Sequence, residues 1–307
     1  MKHYLCFDVG GTAVKYGVLD ESGSILQQGD FKTPLENCRE TVPEAMRVLC
    51  GQLRDTFPLA AIGISTAGQV ELDGSGVRYA VDNLHNYYPT PFRKILESAT
   101  GLPTVVENDV NAAALGEAWL GAGKGRESFL CLTIGTGVGG AIYANGQLLK
   151  GVFGGAGEFG HMTIHFEGRP CSCGQRGCLE TYASHAALLR DFHAASGKSV
   201  DGKTFFTLLR SGDQEAIAVF EAFTSYLAAG LAGLVHTLDP GLIILGGAIS
   251  KESTFLAKAV EEALGRHAMP SYMDHTSVVT AAFSNDAGIL GACYVAKAYE
   301  AAQRGGI

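Results

Sequence analysis

No stretch of this sequence is apolar for long enough to read as a membrane span. The most apolar one, residues 227–245, is interrupted by His236, Asp239 and Pro240. The start of the chain offers no basic segment followed by an apolar run of the kind that directs export. Charge is scarce as well: Asp, Glu, Lys and Arg make up only 18% of the residues. The balance is negative, and a net charge of -8 supplies no basic surface to replace the counterions of nucleic acid or to grip an anionic membrane. Low-complexity tracts and long linkers are missing too. The expectation is a soluble, cytoplasmic chain whose partners are neither nucleic acid nor membrane.

What is plentiful is apolar residues, at 47%, and glycine, with 41 copies. The first supports real cores, and 307 residues exceed what one core usually organises, so two α/β domains are expected. The second marks tight turns and places where backbone must approach a ligand closely. Of the eight cysteines five sit singly in apolar or helical surroundings, with Cys6 and Cys131 reading as core. Cys171, Cys173 and Cys178 crowd together, which suits metal binding in a reducing compartment better than disulfides.

An aromatic-Leu-Cys run at 4–6 reaches the glycine turn Gly10-Gly11-Thr12, and the same run at 129–131 reaches Gly135-Thr136-Gly137. Alternating apolar residues and a second turn follow each, so both read as a strand entering a β-hairpin, and the halves look duplicated. Helix is expected over 36–57, strand over 59–65, helix over 91–100, strand over 104–107 and helix over 108–120. The second half reads as helices near 179–195, 205–210 and 214–238, a buried strand at 242–245, a helix, a strand near 277–281 and a last helix from Ile289. The glycine-rich stretch 121–125 is the natural boundary. It separates a first domain, 1–120 with about 288–307, from a second, 121–287.

The turn at Gly10, Gly11 and Thr12 is either plain hairpin chemistry or a phosphate cradle. Two glycines let N–H groups close on phosphate oxygens, Thr12 adds a hydroxyl, Lys15 adds positive charge, and Asp8 can hold Mg2+ through water. The second loop, 135–140, matches the Gly-x-Gly-x-x-Gly dinucleotide fingerprint only formally, because residues 141–146 continue as a strand where a fingerprint needs a helix. Two such hairpin loops facing one another resemble the phosphate grip of actin-like ATPases. Gly246-Gly247, after a buried strand, is either a simple strand-to-helix turn or a place for backbone to pack on adenosine.

Glu107-Asn108-Asp109 falls where a strand ends and a helix begins. Its bland reading is an N-cap worth about 1 kcal/mol. Phosphoryl transfer to an alcohol needs a carboxylate beside the attacking hydroxyl, and Asp109 fits that role, with Asn108 beside a neighbouring hydroxyl. His161 with Cys171, Cys173 and Cys178 makes a closed tetrahedral Cys3His set, whose Zn2+ is structural because no ligand position stays open. Metal on one nitrogen of His161 fixes the other as an N–H donor, and Glu158 and Glu180 flank this knot. Two carboxylates and an N–H match the alternating hydroxyls of a sugar ring, although for each glutamate alone solvated surface is the default.

Taken together these motifs resemble the ROK family (repressor, open reading frame, kinase), from Asp8 to about Gly291. The Glu-x-Gly-His segment with Cys-x-Cys-Gly-x-x-Gly-Cys-x-Glu carries the resemblance. It implies an α/β, actin-like ATPase (ribonuclease H-like) fold with two domains around a nucleotide and sugar cleft. It further implies a sugar kinase using ATP and Mg2+, glucose at the 6-hydroxyl being the first expectation and N-acetylmannosamine the alternative. By the same resemblance Asp109 is the catalytic base, and Gly68, Asn108, Glu158, His161 and Glu180 contact the sugar. His161, Cys171, Cys173 and Cys178 hold zinc, and the loops at 10–12 and 135–137 hold ATP phosphates. Many members have Pro-Gly in the sugar-side loop, whereas this chain has Ser65-Thr66-Ala67-Gly68, similar to the N-acetylmannosamine kinase version. A sugar-responsive regulator is disfavoured, since the first phosphate strand starts near residue 4 and no helix-turn-helix precedes it. A homodimer is the expected assembly.

Overall fold

Strand β1 (His3–Val9) is buried at almost every position, which requires neighbours on both edges and cover on both faces. In the computed structural model, which describes residues 2–80, 84–249, 253–283 and 286–305, it lies at the centre of a five-stranded sheet. Strands β2 (Ala13–Asp20) and β3 (Ile25–Lys32) return antiparallel on one side. After helix α1 (Cys38–Leu53), β4 (Leu59–Thr66) runs parallel to β1. A small hairpin, β5 (Gln69–Val70) and β6 (Val77–Tyr79), and helix α2 (Phe92–Thr100) lead to β7 (Thr104–Asn108), parallel to β4. Helix α3 (Asp109–Leu120) follows directly, and the C-terminal helix (Ala287–Gly305) packs on α3, β1 and β4. Leu5, Phe7, Val42, Met46, Ile62 and Phe92 are among the side chains closing one core.

The sequence pattern is repeated in a second sheet. Here β8 (Phe129–Ile134) is central, β9 (Val138–Ala144) and β10 (Gln147–Leu148) are antiparallel, and β11 (Leu242–Gly246) and β12 (Ser277–Thr280) are parallel. Between β10 and β11 come α4 (Glu180–Ala183), α5 (His185–Ser196), α6 (Gly202–Arg210) and α7 (Gln214–Leu238). Helices α8 (Ser253–Leu264) and α9 (Pro270–Met273) precede β12. Helix α7 is long and apolar enough to cross a membrane by length and composition. Its Phe223, Leu227, Leu231 and Val235 are instead buried in the core with Leu132, Ile243 and Leu245.

The two sheets share one strand order, and the chain divides into two units around them. Unit 1 is Met1–Lys124 with Lys150–Ala156 and Asn285–Ile307; unit 2 is Gly125–Leu149 with Gly157–Ser284. Residues 150–156 thus group with the first unit, where composition alone assigns all of 121–287 to the second. The helix expected over 179–195 is two helices. Ser184 between them is extended, and its hydroxyl accepts the N–H of Ala187 at 3.0 Å, which starts α5 afresh. The short β5–β6 hairpin lies below the length at which alternation is readable.

Candidate active site

In unit 1 the carboxyl ends of β1, β4 and β7 gather the polar residues. Asp8 sits opposite Lys15 on β2 and beside Ser65 on β4, whose hydroxyl donates to Asp8 Oδ1 at 2.8 Å. Burial pushes the Asp8 carboxyl up, while the Ser65 hydroxyl and the Lys15 ammonium pull it back down. A Cβ on Gly288 would stand 2.6 Å from the Asp8 carboxyl carbon, so the first turn of the C-terminal helix comes into contact with it. The exposed loop at Gly10, Gly11 and Thr12 is tied through its carbonyls: the Thr33 hydroxyl donates to Gly10 O at 2.7 Å and the Thr33 N–H to Thr12 O at 3.0 Å.

The junction of β7 and α3 realises the capping reading of its sequence. Asn108 is the N-cap: its Oδ1 accepts the N–H groups of Val110 at 2.9 Å and Asn111 at 3.1 Å. Its Nδ2 donates to Gly68 O at 3.0 Å, so one N–H of the amide is left for a substrate. Gly68 has φ +100, and a Cβ there would meet Tyr79 O at 2.6 Å, which explains the glycine. Asp109 opens the helix half-buried, with Oδ1 accepting the Val110 N–H at 3.0 Å. Burial first, and the Asp8 carboxylate second, raise the Asp109 carboxyl from 3.8 to about 6.

In unit 2 the β8–β9 loop is a tight hairpin and opens no helix, as its sequence context implies. Gly135 N–H donates to Gly137 O at 3.0 Å, and His185 N–H donates to Gly135 O at 2.9 Å, while Thr136 is exposed. Glu180 approaches this loop, because a Cβ on Gly137 would lie 2.6 Å from Glu180 Oε2. The other oxygen, Oε1, is 3.1 Å from Cys171 Sγ and 3.4 Å from the Ser172 hydroxyl. Gly247 has φ +86, and its Cβ position is 2.6 Å from Ile134 N, so contact with the β8 backbone already accounts for this glycine. Neighbouring Gly246 ends β11.

His161, Cys171, Cys173 and Cys178 place their donor atoms within 4.8 Å of one another. A tetrahedral zinc with Zn–S near 2.3 Å holds its sulfurs about 3.8 Å apart. Cys173 Sγ and Cys178 Sγ are 3.7 Å apart, as are Cys171 Sγ and His161 Nδ1, so the donor set fits the ion. Nδ1 is the His161 nitrogen turned to the thiols. Glu158 is exposed between Gly157 and Phe159, the latter buried against Gly140.

Three features have no clear sequence signal. Ser65 bonding to Asp8 depends on strand pairing, Ser172 near Glu180 depends on the knot's turn, and an ion pair joins half-buried Lys150, through Nζ, to buried Glu107 Oε2 at 2.5 Å. The run Glu107-Asn108-Asp109 at a strand end marks Glu107, but nothing near Lys150 announces its partner.

The ROK family pattern matches residues 4–299. The glucokinase of Halalkalibacterium halodurans is 35% identical, over 97% of this chain and 96% of that protein. The N-acetylmannosamine kinase of Citrobacter koseri is 30% identical, over 95% and 98%. The crystal structure of a ROK family glucokinase from Streptomyces griseus with glucose and AMPPNP superposes with a TM-score of 0.83 at 33% identity, covering 96% of this chain and 99% of that one.

Proposed function

From the premise that this chain belongs to the ROK family, with the actin-like ATPase fold of its sugar kinases, we propose that it transfers the γ-phosphoryl group of ATP to a hexose, glucose at its 6-hydroxyl, with Asp109 as general base. The observation that carries this reading is the state of Asp109. A carboxyl raised to about 6 is ionised at neutral pH yet basic enough to take a proton as the alcohol attacks. The Val110 N–H fixes one of its oxygens and leaves the other to the hydroxyl.

The remaining N–H of Asn108 donates to a neighbouring sugar hydroxyl, and the Gly68 backbone borders the ring. Glu158 and Glu180 accept from two further hydroxyls, and His161 Nε2–H donates to a third. His161, Cys171, Cys173 and Cys178 would hold zinc, which in this closed set would supply no reaction chemistry and would fix the direction of the His161 N–H. ATP phosphates are held by the loops Gly10-Gly11-Thr12 and Gly135-Thr136-Gly137, in which the N–H groups of Gly10 and Gly135 are spent within the turns on Ala13 O and Gly137 O, with Lys15 adding charge. Gly246 and Gly247 border the adenosine. Asp8 would hold Mg2+, which would supply positive charge to the phosphoryl group in transfer. Exclusion of water matters because water is a competing acceptor and would waste ATP. The setting is the cytoplasm, and the assembly a homodimer.

A second acceptor, N-acetylmannosamine, is favoured by one observation, the Ser65-Thr66-Ala67-Gly68 loop in place of Pro-Gly. Coupled measurement of ADP release on a panel of hexoses and N-acetylhexosamines, with mass spectrometry of the product, tests both. Glucose 6-phosphate as the major product is the expected result. Sugar binding without any phosphorylated product would make the chain a sensor and overturn the reading.

A further inference from the structure

Glu107 is 3% exposed, and a carboxylate buried so far needs partners for its charge and its lone pairs. It has three. Oε1 accepts the backbone N–H of Asn108 at 3.1 Å and the Nδ2–H of Asn111, itself buried, at 3.1 Å; Oε2 takes the Lys150 ammonium at 2.5 Å. One carboxylate thus grips the residue before Asp109 and a residue in the first turn of α3. The lysine that neutralises it comes from a distant part of the chain.

Lys150 opens a loop that closes on itself, with Ala156 N–H donating to Lys150 O at 3.1 Å. That loop rests on the hairpin after Gly68: a Cβ on Gly154 would stand 2.6 Å from Val70 O, and one on Gly155 would stand 3.4 Å from Gln69 Nε2. Gly68 in turn receives the Asn108 side chain. The contacts close a ring within unit 1, from Glu107 through Lys150, the 150–156 loop, Gln69, Gly68 and Asn108 back to Glu107. The catalytic turn and the sugar-side loop are two arcs of it.

We propose that Glu107 and Lys150 are a positioning pair for the phosphoryl acceptor: they set the aim of Asn108 and Asp109 against the Gly68 loop. This rests on the kinase reading above. Neither group touches substrate; each acts through the residues it orients. A catalytic group displaced by about an ångström loses roughly a hundredfold in rate, so loss of the pair shows in the chemistry of folded enzyme.

The test compares Glu107→Gln, Lys150→Met, the double variant and Lys150→Arg with the wild-type chain in steady-state kinetics, each checked for folding by circular dichroism and thermal melting. The double variant matters because either single change leaves a charge unpaired and endangers folding, whereas the pair of neutral side chains does not. Expected are a loss of roughly ten- to a hundredfold in kcat for the folded double variant, a raised KM for sugar, an unchanged KM for ATP, and recovery of most activity in Lys150→Arg. A folded double variant with wild-type kcat and sugar KM overturns the proposal, as does equal damage to the sugar and ATP constants. A wild-type chain with no sugar-dependent turnover removes the kinase reading itself, and the positioning role with it.

Discussion

The two units share one sheet order and differ in where they put their chemistry. In unit 1 the candidate site residues stand on the repeat itself: Asp8, Ser65 and Asn108 on the ends of β1, β4 and β7, and Asp109 on the helix that follows. The corresponding places in unit 2 are nearly bare. Thr133, two residues before its glycine turn, pairs with Gly139 and Gly246, where Asp8 pairs with Lys15 and Ser65. Unit 2 carries its polar groups in the stretch between β10 and α5, where His161, three cysteines, Glu158 and Glu180 lie outside the repeated strands. A duplicated scaffold can thus keep a glycine hairpin in both copies, closed by Gly10 N–H on Ala13 O in one and by Gly135 N–H on Gly137 O in the other, while only one copy carries carboxylates such as Asp8 and Asp109 at these places.

The comparison predicts separable losses. Asp109→Asn has the largest effect: kcat falls by ~10²–10⁴, while calorimetric sugar affinity stays near wild type because unit 2 retains its donors and acceptors. Loss of affinity as large as the loss of rate would erase the division of labour. The same carboxyl sets a pH profile. It is raised from 3.8 to about 6, so kcat/KM falls as pH drops through about 6 and the base is protonated. The sign for stability is opposite. Between pH 3.8 and about 6 the folded state holds a proton that the unfolded chain has released, so stability declines with rising pH and the cost is complete above about 6. Asp109→Asn therefore melts higher than wild type at pH 8 and no higher at pH 4.

Removing the metal comes next. Chelation of the Cys3His set weakens sugar binding by about 10–100-fold and leaves binding of an ATP analogue unchanged, as titration calorimetry would show. Equal loss of both would place the knot's influence on the phosphate loop, through Glu180 and Gly137, ahead of its influence on the sugar. The smallest effect is expected at the bare end of the unit 2 repeat. Gly247→Ala forces a side chain into φ +86 against the Ile134 backbone and costs about 1–3 kcal/mol of stability, read from denaturant melts. Nucleotide affinity falling further than stability would give this glycine a ligand role beyond packing.

Much of this was legible before any coordinates. Alternation and glycine turns specified both hairpins, and the second loop's following strand ruled out a dinucleotide helix. The dense Cys-Cys-Cys set with His161 specified a metal knot, because few other arrangements bring so many soft ligands so close. The Asn-Asp pair at a strand end marked the helix cap, which Asn108 makes, and the Asp109 carboxylate beside it accepts the same Val110 N–H. What stayed illegible were contacts made by side chains that no local pattern brings together. Ser65 reaches Asp8 only through parallel pairing of β4 with β1, and the loop opened by Lys150 joins unit 1 because Gly154 and Gly155 pack on the hairpin after Gly68.

By itself, then, the sequence determined most of the elements, the duplicated hairpins and the cluster of side chains that could hold a metal, since periodicity, turn chemistry and ligand spacing act over a few residues. Only the tertiary structure decided that Glu107 is buried, that Lys150 neutralises it and that burial pushes the Asp109 carboxyl up. Burial and the charges around a group depend on what distant segments bring to it, and no local rule carries that information.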